Sequence, residues 1–298
     1  MQRDSGQART NEACALCSGL DARELFTKNG RAYVRCEGCG LVALRPMPTP
    51  EQLQAHYEES YRAGRYAEFA SAVPVRTAIA RDRLERLRPL APDGPWLDVG
   101  ASTGLFVEQA LQAGLDAEGI ELSHEAVARA QARHLPVHQG SVESWKPERR
   151  FAVVTVLDVV EHISAPAEFL RRVRPWLAPD GLLALTMPDC SAPMARLLGR
   201  HWFYYLVPEH VHQFTPPTIR RLLELAGFRD VHVRRVSKPM PLAYAAHHTE
   251  TMAPALAPFA RAFVRMLPAT WSAVNVPLPL GEMLVTGRPA VEADQGAR

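Results

Sequence analysis

The sequence predicts an α/β chain: a doubly wound, mostly parallel sheet of seven strands, with a small cysteine-stapled unit before it. Three observations predict this. Short apolar runs alternate with amphipathic segments from about residue 95 onward, as successive β-α-β units do. The run Phe151-Ala-Val-Val-Thr-Val-Leu157 is apolar without alternation, which suits a parallel strand buried on both faces. The stretch Trp96-Leu97-Asp98-Val99-Gly100-Ala101-Ser102-Thr103-Gly104 reads as strand, tight glycine turn and helix start, the entry unit of a Rossmann-like sheet.

The 298 residues allow one large domain or two modest ones. A 47% hydrophobic content is that of a globular chain, and 34 basic against 32 acidic side chains leave no broad electrostatic footprint for nucleic acid. No apolar run follows Met1 and none is long enough to span a bilayer, so the expectation is a cytoplasmic protein without a transmembrane segment.

Near the start, Cys14-x-x-Cys17 and Cys36-x-x-Cys39 are separated by 18 residues, the spacing of a four-thiolate zinc site. Two disulfides are the competing reading, disfavoured in a reducing compartment. Four thiolates leave no open coordination position, so the zinc would be structural. The segment from Arg23 to Arg35 between the pairs predicts a hairpin, and Cys190 is left over as a small buried residue. The expected organisation is a zinc ribbon over 1–48, a helical linker or lid over 49–92, and the main α/β domain over 93–290 with an insertion at 237–281. A disordered tail at 291–298 completes it. The Pro-rich joint at 46–50 separates the first two, and an arginine-rich amphipathic helix over 72–90 leads into the core.

Strands are expected at 95–100, 117–122, 136–140, 151–158, 182–188, 230–236 and 282–288, and helices at 104–114, 123–134, 166–177 and 216–227. Thr215 is the expected N-cap of the last helix, with Pro216 at its first position. A ligand crevice is expected over the carboxyl ends of the strands, where Asp98, Glu121, Ser141 and Asp158 fall.

Gly100 and Gly104 stand as G-x-x-x-G, and Asp98 precedes them. A carboxylate there would repel a pyrophosphate at the helix N-terminus but suits a ligand carrying ammonium or sulfonium charge. S-adenosylmethionine carries both and no phosphate. Glu121, 23 residues after Asp98, lies where a ribose diol is gripped in doubly wound folds. Asp98-Val-Gly100-Ala-Ser102-Thr-Gly104 with Glu121 resembles the first two motifs of class I S-adenosylmethionine-dependent methyltransferases. Ser102 stands where many of them carry a third glycine. That resemblance, over about residues 90–290, implies a cofactor site of Asp98, Gly100, Ser102, Gly104, Glu121, Leu122, Ser141, Val142 and Asp158. Relatives often place an Asp where Ser141 stands. The ribbon, the Pro-rich joint and a tyrosine-bearing helix, over 14–66, resemble zinc-ribbon methyltransferases of natural-product and cell-surface sugar pathways. By that resemblance Tyr57, with Tyr61 and Tyr66, would form a lid over the cofactor.

The fourth strand ends Asp158-Val-Val-Glu161-His162, similar to the Asp/Glu-x-x-Glu-His tract of ubiquinone-pathway O-methyltransferases. The likeness implies a divalent ion such as Mg2+ at Asp158, Glu161 and His162; the other reading is a cleft-facing His162 that takes a proton or touches substrate. After the fifth strand a loop of about 25 residues, longer than most connections, carries His201-Trp-Phe-Tyr-Tyr205 and Glu209-His210-Val-His212. His210 and His212 are the expected general bases, since an imidazole can take the proton of an attacking hydroxyl.

The expected activity is methyl transfer to a hydroxyl of a small molecule, a secondary metabolite or sugar, by a monomer or homodimer. A sugar C-methyltransferase, an RNA-modifying enzyme that grips nucleic acid with the ribbon, and a non-catalytic binding module are the alternatives. The ribbon's Arg23, Lys28, Arg31 and Arg35 are offset by Asp21, Glu24 and Glu37, which disfavours the RNA reading. The histidines disfavour the non-catalytic one. Phe259, Phe263 and Met266 mark one side of a helix expected over 252–267, which would roof a pocket, pair with a second copy or touch a membrane surface.

Overall fold

The structure, a computed structural model, describes residues 8–9, 12–49, 51–53, 55–56, 59, 73–241, 244, 257–266 and 274–290. Two sheets organise these residues. The larger runs through β5 (Trp96–Val99), β6 (Ala117–Glu121), β7 (Val137–Gln139), β8 (Phe151–Leu157), β9 (Leu177–Pro188), β11 (Phe228–Pro241) and β12 (Asn275–Pro289). Its order is β11-β12-β9-β8-β5-β6-β7. All pairs from β9 to β7 are parallel, whereas β12 is antiparallel to both β9 and β11. The order reverses at β5 and β8, so the crevice opens where Asp98 and Asp158 end their strands.

Both faces of this sheet are covered, which is why its strands read as continuous apolar runs. Along β9, Leu183 and Leu185 pack with α4 (Pro166–Val173) and α6 (Pro216–Leu225). The intervening Leu182 and Ala184 pack with α1 (Val73–Leu87), α2 (Leu105–Gln112) and α3 (His124–Gln131). This period of two places every second side chain in one of two cores. Thr215 caps α6 through a reciprocal box with Thr218, and Pro216 opens the helix, as the sequence predicts.

Strands β11 and β12 run further than the sequence predicts. β11 and β12 run on to Pro241 and back to Asn275, pairing Pro239 with Pro277, so residues expected in an insertion extend the hairpin. Proline is tolerated here because β11 is an edge strand and this part of β12 lies beyond its pairing with β9. The later helix is α7 (Ala257–Met266), on which Phe259, Phe263 and Met266 are exposed.

The smaller sheet has the order β1-β2-β3-β4-β10, from β1 (Ala8–Arg9), β2 (Asp21–Lys28), β3 (Arg31–Cys36), β4 (Val42–Arg45) and β10 (His212–Gln213). The predicted hairpin is β2–β3. β10 comes from the long connection after β9, which also carries α5 (Pro193–Leu198), and pairs with β4, His212 opposite Ala43 and Gln213 opposite Val42. Cysteine ribbon and long loop therefore share one sheet. No described helix is long and apolar enough to cross a membrane.

Candidate active site

The turn after β5 is built by left-handed backbone. Gly100 has φ +80° and Gly104 has φ +76°. A Cβ at Gly100 would stand 2.6 Å from Val159, and one at Gly104 2.9 Å from Leu135. Both glycines are thus required by backbone conformation and internal packing, a reason other than the approach of a ligand. Ser102, at φ 50°, adopts the same region without being glycine. Such strain persists where surrounding bonds over-determine it. Here the Ser102 amide donates to Glu121 Oε2 at 2.9 Å, while the Ser123 amide donates to Oε1 at 2.8 Å. Glu121 thereby ties the glycine turn to the start of α3, and each oxygen keeps a second lone pair.

Asp98 lies opposite Thr155 in the β5–β8 register and is 5% exposed. The Thr155 hydroxyl donates to Asp98 Oδ1 at 2.6 Å. Burial pushes this carboxyl up to about 7, with the Thr155 bond acting against the rise. A cationic ligand beside it would draw it back toward the ionised form. On the far side of the turn, Leu122 is exposed, Val142 is buried and Ser141 closes a local turn with Ser144. Tyr57, Tyr61 and Tyr66 lie outside the described residues.

At the end of β8, Asp158 is also left-handed, with φ 56°. Its Oδ2 accepts from Arg83 at 2.7 Å and its Oδ1 from Thr186 at 2.9 Å. Burial opposes its charge, but Arg83 and Lys238 outweigh that and hold the carboxyl well below the usual range. Arg83 also reaches Glu282 at 3.1 Å, and Lys238 meets Glu282 at 2.7 Å and donates to the Tyr204 hydroxyl at 3.1 Å. Sequence reasoning missed this network. A glutamate inside Gly281-Glu282-Met-Leu-Val was its one available signal. Removing one partner of a buried ionic set leaves uncompensated charge. Glu282→Gln is therefore expected to lower stability by about 3–5 kcal/mol, measurable by urea unfolding.

Asp158 being engaged by Arg83, the three metal-capable groups that come together are Glu161, His162 and His210, with ligand atoms all within 4.8 Å of one another. The His162 and His210 rings meet edge to face at 4.6 Å, and Tyr204 stacks on His210 at 6.3 Å. Glu161 is 2% exposed and His210 5%, yet among the described residues Glu161 Oε2 and His210 Nδ1 have no hydrogen-bond partner. Burial, then the charge of Asp158, pushes Glu161 well above the carboxylate range, while burial, then His162, lowers His210 well below that of a free imidazole. Buried polar atoms without partners, on residues whose ligand atoms cluster, mark a place where a third group can bind. His212 is not part of it. It is fully buried on β10, its Nδ1 on the Ile163 carbonyl at 3.0 Å, and burial lowers it to about 4. Cys190 is half-buried, and burial raises its thiol to about 12.

In the ribbon, Cys14, Cys17, Cys36 and Cys39 bring their sulfurs within 4.8 Å of one another. Cys14–Cys39 and Cys17–Cys36 are 3.5 and 3.4 Å apart, far beyond a disulfide bond length, and all four are free thiols. Such a set fits one tetrahedral ion.

The methyltransferase-domain family matches residues 69–233, more than half of the chain. The chain belongs to this methyltransferase family. Its fold is that of the class I S-adenosylmethionine-dependent methyltransferases. It is 27% identical over 186 residues to "Ubiquinone biosynthesis O-methyltransferase" of Azorhizobium caulinodans, covering 55% of this chain and 73% of that one. The same named protein of Bradyrhizobium diazoefficiens is 31% identical over 139 residues, 43% of this chain and 55% of that one. The chain spans about half the length of most of the curated relatives it matches. Among solved structures, a Thermotoga maritima protein described as a SAM-dependent methyltransferase, possible histamine N-methyltransferase, superposes with TM-score 0.52 at 16% identity, over 75% of this chain and 96% of that one. The 1,6-didemethyltoxoflavin-N1-methyltransferase of Burkholderia thailandensis superposes with TM-score 0.50 at 18% identity, over 89% and 98%. At such identities these two likenesses concern the fold alone.

Proposed function

We propose that this methyltransferase moves the methyl group of S-adenosylmethionine to a hydroxyl oxygen of a small molecule. The observation that carries the reading is the buried cluster of His210, Glu161 and His162 beside the crevice, with His210 Nδ1 lacking a partner among the described residues. The donor needs no activation, so holding acceptor and sulfonium in line supplies most of the acceleration. As the acceptor oxygen attacks the methyl carbon and the carbon–sulfur bond breaks, His210 takes the hydroxyl proton. The bare thioether of the spent cofactor is left behind. Asp98, Gly100, Ser102, Gly104, Glu121, Leu122, Ser141, Val142 and Asp158 make up the cofactor side in this reading. The O-methyltransferases among the relatives favour oxygen over nitrogen or carbon. Within small hydroxylated acceptors, the zinc-ribbon resemblance favours a secondary metabolite or sugar.

The four cysteines hold a structural Zn2+ in this reading, which would supply much of the ribbon's folding energy. Two imidazoles and one carboxylate suit a borderline transition ion better than Mg2+, which prefers oxygen ligands. Magnesium at Asp158 would have to displace Arg83.

Titration calorimetry with S-adenosylmethionine tests the cofactor side. Micromolar binding to the wild type is expected. Glu121→Ala, which frees two backbone amides and removes the ribose acceptor, is expected to weaken it at least about tenfold, one hydrogen-bonded charge being worth roughly 1.5–3 kcal/mol. Equal affinities would overturn the placement of the cofactor. Radiolabelled methyl transfer to catechol, phenol and methyl glucoside then tests the acceptor class.

A further inference from the structure

The cysteine ribbon has a direct hold on the acceptor side of the crevice. The Tyr33 hydroxyl, on β3, donates to the backbone carbonyl of His210 at 3.0 Å. One residue on, the Leu44 amide of β4 donates to the Val211 carbonyl at 2.8 Å. His212 and Gln213 then join β4 as its neighbouring strand. Four successive residues, His210 to Gln213, thus bond to or pair with the ribbon.

Tyr33 itself has little freedom. It is fully buried, its ring 5.4 Å from Phe26 and 4.8 Å from Tyr205. Burial raises its phenol, so the hydroxyl remains a donor at any working pH. From the core side, the Ile163 carbonyl holds the His212 ring and Cys190 donates to the Phe214 carbonyl at 3.0 Å. The wall is therefore gripped from both sheets, and the His210 ring bonds the Tyr204 backbone while its Nδ1 has no partner among the described residues. That ring bond and the contacts with Tyr204 and His162 can be met only from the backbone position that the Tyr33 bond to the His210 carbonyl fixes.

We infer that Tyr33 is a positioning residue for His210, through which the ribbon sets the acceptor side of the crevice while the cofactor side is built on the other sheet. The inference rests on the proposed role of His210 for its effect on rate, but the geometric claim stands apart from that role. A ribbon serving only to stabilise the chain would be indifferent to this one hydroxyl once the ring is kept.

The test uses the full chain labelled with 15N-histidine. Long-range proton–nitrogen spectra report the imidazole of His210, assigned with His210→Asn, and methyl transfer to catechol is measured alongside. Tyr33→Phe is expected to shift the His210 imidazole signals and to lower kcat about tenfold, one hydrogen bond being worth roughly 1 kcal/mol or somewhat more. The affinity for S-adenosylmethionine and KM for catechol should be unchanged. Lys28→Met is the control. It removes a ribbon-to-wall bond of the same kind, Lys28 Nζ to the Tyr205 carbonyl at 2.7 Å, and should lower Tm while leaving the imidazole signals and kcat alone. Difluorotyrosine at position 33, a stronger donor, should shift the signals opposite to phenylalanine and serves as the second variant if Tyr33→Phe does not fold. Unmoved imidazole signals in both position-33 variants, or equal shifts in Lys28→Met, would overturn the inference. A shifted imidazole in Tyr33→Phe together with a fully active His210→Asn would uphold the positioning and sink the base role instead.

Discussion

His210→Asn is expected to lower kcat by about 10²–10⁴-fold, the usual contribution of a positioned acid–base group, with S-adenosylmethionine binding unchanged. Asparagine keeps a polar side chain of similar reach but cannot take up a proton. The site makes this a demanding test. His210 is almost wholly buried, stacked on Tyr204 and edged by His162, so Tm is measured alongside to separate lost packing from lost chemistry. A variant with the wild-type rate on an accepted phenol would remove His210 from the chemistry.

The pH dependence follows from the direction of the shift. Burial lowers His210 well below the 6.5 of a free imidazole, so it is neutral and competent through the physiological range. The rate should stay flat near neutrality and fall only on the acid side, and His210→Asn should lack that acid limb. Stability carries the same sign. The unfolded imidazole takes a proton near 6.5 and the folded one does not, so this group's contribution is lost as pH falls below 6.5. Asp98 acts oppositely. Its folded carboxyl sits at about 7 against an ordinary 3.8, so its contribution is lost as pH rises from about 4 through 7. The difference between wild type and variant at pH 5 and 7.5, rather than either curve, isolates His210.

The strands of the large sheet were legible because burial on both faces leaves unbroken apolar runs such as Phe151 to Leu157. The ribbon hairpin and the Thr215–Pro216 helix start were legible because Cys-x-x-Cys spacing and capping chemistry are local signals. What escaped was non-local. β10 is two residues long, His212 and Gln213, too short to carry any period, and it joins a sheet formed some 170 residues earlier in the chain. Arg83 was one of several arginines on α1, and only folding brings it to Asp158 and Glu282. The same holds for the turn glycines. Sequence position made them part of a ligand loop, whereas Val159 and Leu135 are the atoms they make room for.

Cys36→Ser is expected to have the other large effect, and it should divide the molecule along the line between its two sheets. In the zinc reading the ion binds four thiolates, and structural sites of this kind supply about 10–16 kcal/mol of apparent binding energy. The protein side is prepared for it. Burial raises the thiols of Cys14 and Cys39, whereas at Cys36 the amides of Cys39 and Gly38 and the Cys17 thiol outweigh burial and lower it. Cys36 is thus readier to ionise than Cys14 or Cys39, and it ends β3, the strand that also carries Tyr33. With serine there, zinc measured per chain should fall from one to none and β2–β3–β4 should lose their anchor. β10 would then lose its neighbour and His210 its hold. The glycine turn, Asp98, Glu121 and the parallel strands belong to the other sheet, so affinity for S-adenosylmethionine by calorimetry should change little while methyl transfer is lost. Cofactor binding lost together with transfer would mean that the two sheets fold as one unit. Transfer surviving the loss of metal would mean that the ribbon is dispensable to the acceptor wall.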